Sequence, residues 1–563
     1  MKNKSTILLT PFMLFTACTV NTLEKKELNS DSTSPSVMVS EIEASPPPPS
    51  PVPVVMSMPS PMMVSEIEAS PPLPSPVPVA MSMPSPMPVP PPQMEMANTE
   101  AYNSIQENKF KEVASSPLST FSTDVDTASY ANVRRFLNDK SASLPPKDSV
   151  RIEELINYFS YDYKEPQNKD PFYINTRVGN SIWNSDSKII EIALQTKKPN
   201  IEKLPASNLV FLLDVSGSMG NANKLPLLKK SLKLLVKQLR AKDRVSMVVY
   251  AGNSGLVLDK ARGDEEVKIV EALDKLNAGG STAGGAGIKL AYKVAGEAFI
   301  EGGNNRVILA TDGDFNVGQS SQEELVNLIE KKREEGVFLT VLGFGMGNYK
   351  DGKMEQLADK GNGNYAYIDN LLEAKKVLVT QMSGTLYTVA KDVKVQVEFN
   401  PKRVHSYRLI GYENRALANR DFNDDTKDAG EIGMGHSVTV LYEVVLASKE
   451  VKSKVDDLKY QRSIEDSNEL ATVKIRYKKP DGDISTKMSK IISDSDADIN
   501  KKDFDFTQTV AGFGMLLRDS EYKKSLTFSQ LIELAKNSKG EDREGYRAEF
   551  IKMMEKAELL DLK

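Results

Sequence analysis

The chain has 563 residues, too many for a single hydrophobic core, so we expect two or three folded domains. Its 26% charged and 40% hydrophobic residues are typical of a soluble protein, and the net charge of -5 argues against nucleic acid as the main partner. With one cysteine and two histidines, the sequence excludes a thiolate zinc site, a disulfide framework and a catalytic cysteine in the folded body.

The first 17 residues predict a secretory signal peptide. Lysines precede an apolar segment, residues 7–17, that is too short to span a bilayer as a permanent helix. Residues 15–18 (FTAC) resemble the lipobox of bacterial lipoproteins, in which the cysteine becomes the lipidated first residue of the mature chain. Phe15 stands where that motif usually has leucine. We therefore predict lipidation of Cys18, and a cleaved signal with an incidental cysteine is the alternative.

Residues 18–109 are a predicted Pro-rich linker. The sequence MVSEIEASPP at Met38 returns at Met63, a repeat of 63 − 38 = 25 residues. Prolines this dense cannot form ladders or helices, so we expect a disordered, extended tether with partial polyproline II character. At about 3 Å per residue, it could hold the folded body on the order of 100 Å from a membrane. A Pro-rich ligand role is the alternative to a spacer.

Folding is predicted to resume near Phe110. Residues 110–165 are predicted as a helical segment, and residues 166–205 as strands. The individual elements expected here are two helices and then two strands: 131–137, 150–159, 172–178 and 189–196.

The central segment, residues 206–392, alternates predicted strands and helices, which indicates a doubly wound parallel sheet with helices on both faces. Its first predicted strand, residues 209–213, is apolar throughout, and Asp214 follows it directly. The predicted helix at residues 224–240 carries leucines at 3–4 spacing, so one face should pack on the sheet. Its lysines are predicted on the solvated outer face.

After the central segment the hydrophobic period changes to two. Residues 393–399 alternate apolar and polar side chains, typical of a half-buried strand, and the pattern recurs through residues 393–500. We predict an antiparallel β-sandwich here. Because residues 166–205 also read as strands, we expect them to pair with this sandwich, which then flanks the central domain or holds it as an insertion. Residues 501–563 are predicted to be helical.

Oxygen-bearing side chains follow the apolar strand of the central segment. Asp214, Ser216 and Ser218 lie in a strand-end loop, the place where doubly wound sheets bind ligands. Oxygen ligands suit a hard cation such as Mg²⁺. Two further loops carry comparable groups: Thr282 in a glycine-rich stretch, and Asp312 at the end of another apolar strand.

The order Asp-x-Ser-x-Ser, then Thr, then Thr-Asp-Gly closely resembles the metal-ion-dependent adhesion site of von Willebrand factor type A domains. Five positions match that site: Asp214, Ser216, Ser218, Thr282 and Asp312. In that family the hydroxyls ligate the ion directly, one or both acids act through water, and an acidic side chain of a protein partner fills the open position. The resemblance implies bound Mg²⁺, with Mn²⁺ or Ca²⁺ left open. Asp314 and Asn316 follow Asp312 closely in the sequence, so we expect them near the ligand rim, with solvated turn residues as the alternative.

From about Phe110 onward, the chain is similar to a group of bacterial lipoproteins with a helical segment before such a domain and a domain of uncharacterised role after it. This resemblance implies a protein of the bacterial cell envelope, lipid-anchored through Cys18, with the periplasmic or surface side of the outer membrane as the expected location. The predicted function is non-enzymatic capture of a protein partner. An envelope scaffold, in which the metal only stabilises the fold, is the alternative.

Hydrolase chemistry fits the sequence less well. A haloacid-dehalogenase-like phosphatase needs a second acid two residues after Asp214, where Ser216 stands. An α/β-hydrolase elbow around Ser218 needs glycine where Ser216 stands. Its histidine base would have to be His405 or His436, which both lie outside the central segment. A degenerate domain that holds no metal is the remaining alternative.

Overall fold

The computed structural model describes most of the chain that follows the Pro-rich linker. The described residues are 100–562, apart from 101, 124–125, 140–141, 253, 282–283, 314–321, 347–349, 382–383, 385, 428, 449–466, 481 and 496–499. The predicted signal peptide, Cys18 and the linker therefore lie outside the described residues, as do Thr282, Asp314 and Asn316. Within the described part, no helix is both long and apolar enough to cross a bilayer.

The described residues form three sheets and two groups of helices. The strands are β1 (Lys111–Glu112), β2 (Leu118–Ser122), β3 (Phe172–Asn180), β4 (Lys188–Thr196), β5 (Ser207–Asp214), β6 (Arg244–Tyr250), β7 (Ser254–Arg262), β8 (Asn304–Thr311), β9 (Val337–Phe344), β10 (Tyr365–Ile368), β11 (Thr388–Phe399), β12 (Val404–Ile410), β13 (Gly430–Gly433), β14 (Ser437–Leu446), β15 (Glu469–Lys478) and β16 (Ser485–Ser493).

Some helices alternate with the strands of the central sheet, and the others lie before or after that sheet in the chain. They are α1 (Ala128–Asn138), α2 (Ile152–Asn157), α3 (Leu225–Val236), α4 (Glu266–Asp274), α5 (Gly284–Glu297), α6 (Gln322–Glu334), α7 (Asp351–Lys360), α8 (Leu371–Lys375), α9 (Lys501–Arg518), α10 (Phe528–Ser538) and α11 (Tyr546–Asp561). A π-helical turn, Lys376–Thr380, continues α8.

The central sheet has the strand order β10-β9-β8-β5-β6-β7. All its neighbouring strands are parallel except β6 and β7, which pair antiparallel. Along β5, Phe211 belongs to the hydrophobic core on one face of the sheet, while Val210 and Leu212 belong to the core on the other face. A strand buried on both faces needs apolar side chains at every position, which explains its sequence. The predicted doubly wound sheet is confirmed.

The other two sheets form an antiparallel sandwich. One has the order β1-β12-β14-β4-β3; the other has the order β13-β11-β15-β16, with β2 also paired to β11. Strand β4 precedes the central sheet in the chain, yet it pairs along its length with β14, which follows that sheet. The central α/β domain is therefore inserted into the sequence of the sandwich, as predicted.

The first two helices share a hydrophobic core with the last three. Aromatic side chains from both ends of the described chain fill this core: Phe159 stacks edge-on against Phe506 and Phe550, with ring centroids 5.1 and 5.3 Å apart. Tyr130 of α1 also meets Phe550 of α11. The two helical segments that the sequence presents separately are thus one packing unit, which we call the helical core.

Arg134 joins the helical core to the central domain. Its side chain is 1% exposed and donates hydrogen bonds to Asp369 (Nε to Oδ2, 2.8 Å), Glu373 (2.7 Å) and Glu549 (3.0 Å). These acids belong to the segment after β10, to α8 and to α11. One guanidinium from α1 therefore neutralises two carboxylates at the end of the central domain and one in α11. A planar guanidinium is always charged and carries several donors, so it can bind several acids at once.

We expect Arg134→Met to lower the free energy of unfolding by about 3–5 kcal/mol, because it leaves the buried carboxylates of Asp369 and Glu373 without their cation. Urea unfolding followed by the fluorescence of Trp183, which lies in the helical core, measures this loss. Arg262→Met is the control: its ion pair with Asp264 is solvent-exposed, so the change should stay below about 1 kcal/mol. Equal losses in the two variants would contradict this role for Arg134.

Candidate metal site

The candidate site lies where the strand order of the central sheet reverses. β5 pairs with β6 on one side and with β8 on the other, so the loops after β5 and β8 leave the sheet in opposite directions. Such a switch point opens a crevice at the carboxyl ends of the strands. Asp214 is the last residue of β5, and Asp312 directly follows β8. Both carboxylates are therefore at the same edge, and both are fully buried.

Protein donors hold the Asp214 carboxylate on both of its oxygens. The Ser216 amide donates to Oδ1 at 2.9 Å. The Tyr250 hydroxyl donates to Oδ2 at 3.1 Å, and the Thr311 hydroxyl donates to the same oxygen at 3.3 Å. Burial raises the pKa of Asp214 above its usual value, and the Ser216 contacts oppose that shift. With its oxygens held this way, Asp214 can act on an ion through water and orient the loop that carries the serines.

Ser216 and Ser218 present adjacent hydroxyls at this rim. Their Oγ atoms are 3.0 Å apart; Ser216 is buried, whereas Ser218 is exposed. Neighbouring ligands of an octahedral Mg²⁺ with bonds of 2.0–2.1 Å are separated by about 2.9 Å. The two hydroxyls therefore fit two adjacent positions around such an ion. The short turn Gly217–Gly220 between β5 and α3 sets this spacing.

The glycine-rich loop runs along the Asp214 loop. Gly217 donates its amide to the Gly280 carbonyl at 3.0 Å, and Gly279 donates to the Val215 carbonyl at 2.8 Å. Gly280 has φ +82°, and a Cβ there would lie 3.2 Å from the Gly252 nitrogen, so the close approach requires glycine. The segment leading to Thr282 is thus at the rim, while Thr282 itself stays outside the described residues.

Lys224, which was predicted to face solvent, points into the site and bonds to Asp312. Lys224 donates from Nζ to Asp312 Oδ2 at 2.8 Å, and its side chain is only 4% exposed. The prediction that all lysines of the 224–240 segment face solvent is wrong for Lys224. The helix begins one residue later, with proline in its first turn, so Lys224 leaves the helical pattern and turns inward. That proline was the available sequence signal.

The donor set fits a small divalent cation better than a transition metal. Within the part of the chain that the structure describes, no three or more His, Cys, Asp and Glu side chains cluster as a metal site. The candidate site instead combines the carboxylates of Asp214 and Asp312 with two hydroxyls, an all-oxygen set that suits Mg²⁺ or Mn²⁺. The structure places four of the five predicted ligands, Asp214, Ser216, Ser218 and Asp312, at the same edge of the sheet, and their binding of a metal stays a prediction. Thr282, and Asp314 and Asn316 at the rim, stay predictions.

Three known protein families match successive parts of the chain. Residues 208–381 match the von Willebrand factor type A domain. Residues 96–191 match the family described as von Willebrand factor, and residues 384–560 match the family described as "Uncharacterized protein YfbK, C-terminal".

The chain is 45% identical over 472 residues to "Uncharacterized protein YfbK" of Escherichia coli (strain K12). The match covers 82% of this chain and 81% of that protein. It is 26% identical over 185 residues to "Uncharacterized protein sll0103" of Synechocystis sp., covering 33% of this chain and 43% of that protein. A solved von Willebrand factor type A structure from Catenulispora acidiphila is 14% identical, covers 69% of this chain and 90% of its own, and has a TM-score of 0.37. The chain belongs to the YfbK family, and its central domain is a von Willebrand factor type A domain, a protein-interaction module that often depends on a metal ion.

Proposed function

We propose that this chain is a non-enzymatic, lipid-anchored envelope protein that captures a protein partner through a divalent metal ion. Mg²⁺ held at the rim would bridge to an acidic side chain of the partner. The observation that carries the proposal is the convergence of Asp214, Ser216, Ser218 and Asp312 at the switch point of the sheet. A domain of this type is a protein-interaction module, so the site and the fold support the same activity.

The charges of the site favour an anionic ligand. Neutral hydroxyls supply part of the coordination, and the oxygens of Asp214 are already engaged by protein donors. An ion held this way keeps much of its positive charge, and it attracts an external carboxylate. Ser218 is exposed while both acids are buried, so the solvent side of the ion is where a partner can approach.

The arrangement also supports the absence of serine hydrolase chemistry. Ser216 and Ser218 share a hydrogen bond with each other. The two histidines of the chain belong to the sandwich: His405 lies in β12, and His436 directly precedes β14. A serine nucleophile needs a base within hydrogen-bond reach, and neither histidine is on the sheet that carries the serines.

We expect the purified chain to bind Mg²⁺ in calorimetric titration in the presence of acetate, and Asp214→Ala to abolish that binding by releasing the serine loop. Asp274→Ala is the matched control, because it removes a solvent-exposed carboxylate of the same domain. A peptide with one aspartate should bind only with Mg²⁺, and its asparagine counterpart should not bind.

Equal affinity for the aspartate peptide with Mg²⁺ and with chelator would rule out metal-dependent capture. The scaffold alternative predicts that Asp312→Ala lowers the melting temperature and that no carboxylate ligand binds at all. Metal-dependent capture predicts that this variant loses the peptide while circular dichroism shows a folded chain.

Lipid anchoring rests on the sequence around Cys18 and has its own test. We expect the chain, expressed in a bacterium, to sediment with membranes and to move into the soluble fraction when Cys18 is replaced by serine, which cannot accept the thioether-linked lipid. Unchanged sedimentation of Cys18→Ser would contradict the anchor and leave the metal site unaffected.

A further inference from the structure

A buried ammonium group is part of the metal rim. Lys224 Nζ lies 2.8 Å from Asp312 Oδ2, and the two side chains are 4% and 0% exposed. This ion pair is absent from the five-position pattern by which the site was recognised, which contains only acids and hydroxyls. A charge at this distance from a metal ligand, with almost no water to screen it, acts strongly on an ion bound beside it.

The structure fixes the lysine in place. Its stem passes beneath Gly345, the residue that follows β9; a Cβ at Gly345 would overlap the Lys224 Cε. Gly345 has φ +81°, a conformation that favours glycine, and its carbonyl accepts a hydrogen bond from the Tyr367 hydroxyl at 2.5 Å. Gly345 thus leaves room for Lys224, and the Tyr367 hydroxyl of β10 holds the Gly345 carbonyl in place.

The charge sum of the site changes sign when the ion enters. The carboxylates of Asp214 and Asp312 with the Lys224 ammonium give −2 + 1 = −1. A divalent ion brings the sum to −1 + 2 = +1. A carboxylate from a ligand then brings it to zero. Because unbalanced charge in a buried site is costly, the ion alone and the ligand alone are each disfavoured relative to both together.

We propose that Lys224 weakens the binding of the ion alone and strengthens the binding of a carboxylate beside it, so that the site holds its ion tightly only when an acidic ligand is also present. This inference rests on the proposed function and adds a regulatory property to it. Coupling of this kind is reciprocal: the carboxylate raises the affinity for Mg²⁺ by the same factor by which Mg²⁺ raises the affinity for the carboxylate. The domain would then stay largely metal-free until it meets its partner.

The test is a set of Mg²⁺ titrations in acetate and in chloride at equal ionic strength. For the parent chain we expect acetate to tighten Mg²⁺ binding on the order of tenfold or more, within the usual range of coupling between sites. In Lys224→Met, Mg²⁺ alone should bind more tightly, and the acetate effect should shrink to about twofold or less, since the site is then neutral with its ion.

Further variants keep the result interpretable. Lys224→Gln removes the charge but retains a hydrogen-bond donor for Asp312. It takes the place of Lys224→Met in these titrations if the methionine variant does not fold. Lys230→Met removes an exposed lysine from the same helix and should keep the parent's acetate effect. An acetate effect of parent size in a neutral Lys224 variant that binds Mg²⁺ would overturn the coupling while the proposed function stands. Absence of Mg²⁺ binding by the parent in both salts would overturn the proposed function itself.

Discussion

The candidate site depends on a carboxylate buried at the end of an apolar strand. Asp214 is fully buried, and it stays there because the Ser216 amide, the Tyr250 hydroxyl and the Thr311 hydroxyl satisfy its oxygens. The same bonds set the turn that places the serine hydroxyls 3.0 Å apart. These donors come from the loop after β5, from the end of β6 and from the end of β8, so the parallel sheet sets the geometry of the rim.

The insertion of the central domain explains how the parts of the chain depend on one another. The sandwich is complete only when β4 pairs with β14, and in the sequence these two strands lie on opposite sides of the inserted domain. Arg134 adds a second connection, because its guanidinium binds acids from the end of the inserted domain and from α11. Residues 371–380, α8 and the π-helical turn, contact both parts: Ala374 packs in a hydrophobic core of the central domain, and Glu373 accepts a hydrogen bond from Arg134 of the helical core.

Local patterns in the sequence were enough for part of this structure. The apolar run of β5 and the 3–4 spacing of leucines in α3 each follow from a nearby packing face, and both predictions are confirmed. The strand predicted from the period of two at residues 393–399 is present, but it is not half-buried, because Lys394 and Gln396 on its polar face are buried as well. The shared helical core and the Lys224–Asp312 pair were not predicted. Both join residues that are far apart in the chain; Lys224 and Asp312 are separated by 88 positions. Contacts at such separations leave no local pattern in a single sequence, so they could not be predicted from it.

The most direct measurement is a crystal structure of the chain grown with Mn²⁺ and acetate, with anomalous diffraction used to locate the metal. Metal capture at this rim predicts an anomalous peak within ligand distance of both Ser216 Oγ and Ser218 Oγ, an acetate oxygen on its solvent side, and Lys224 still bonded to Asp312. A rim without an anomalous peak in crystals grown with saturating Mn²⁺ and acetate, or a peak within ligand distance of neither serine, would contradict it.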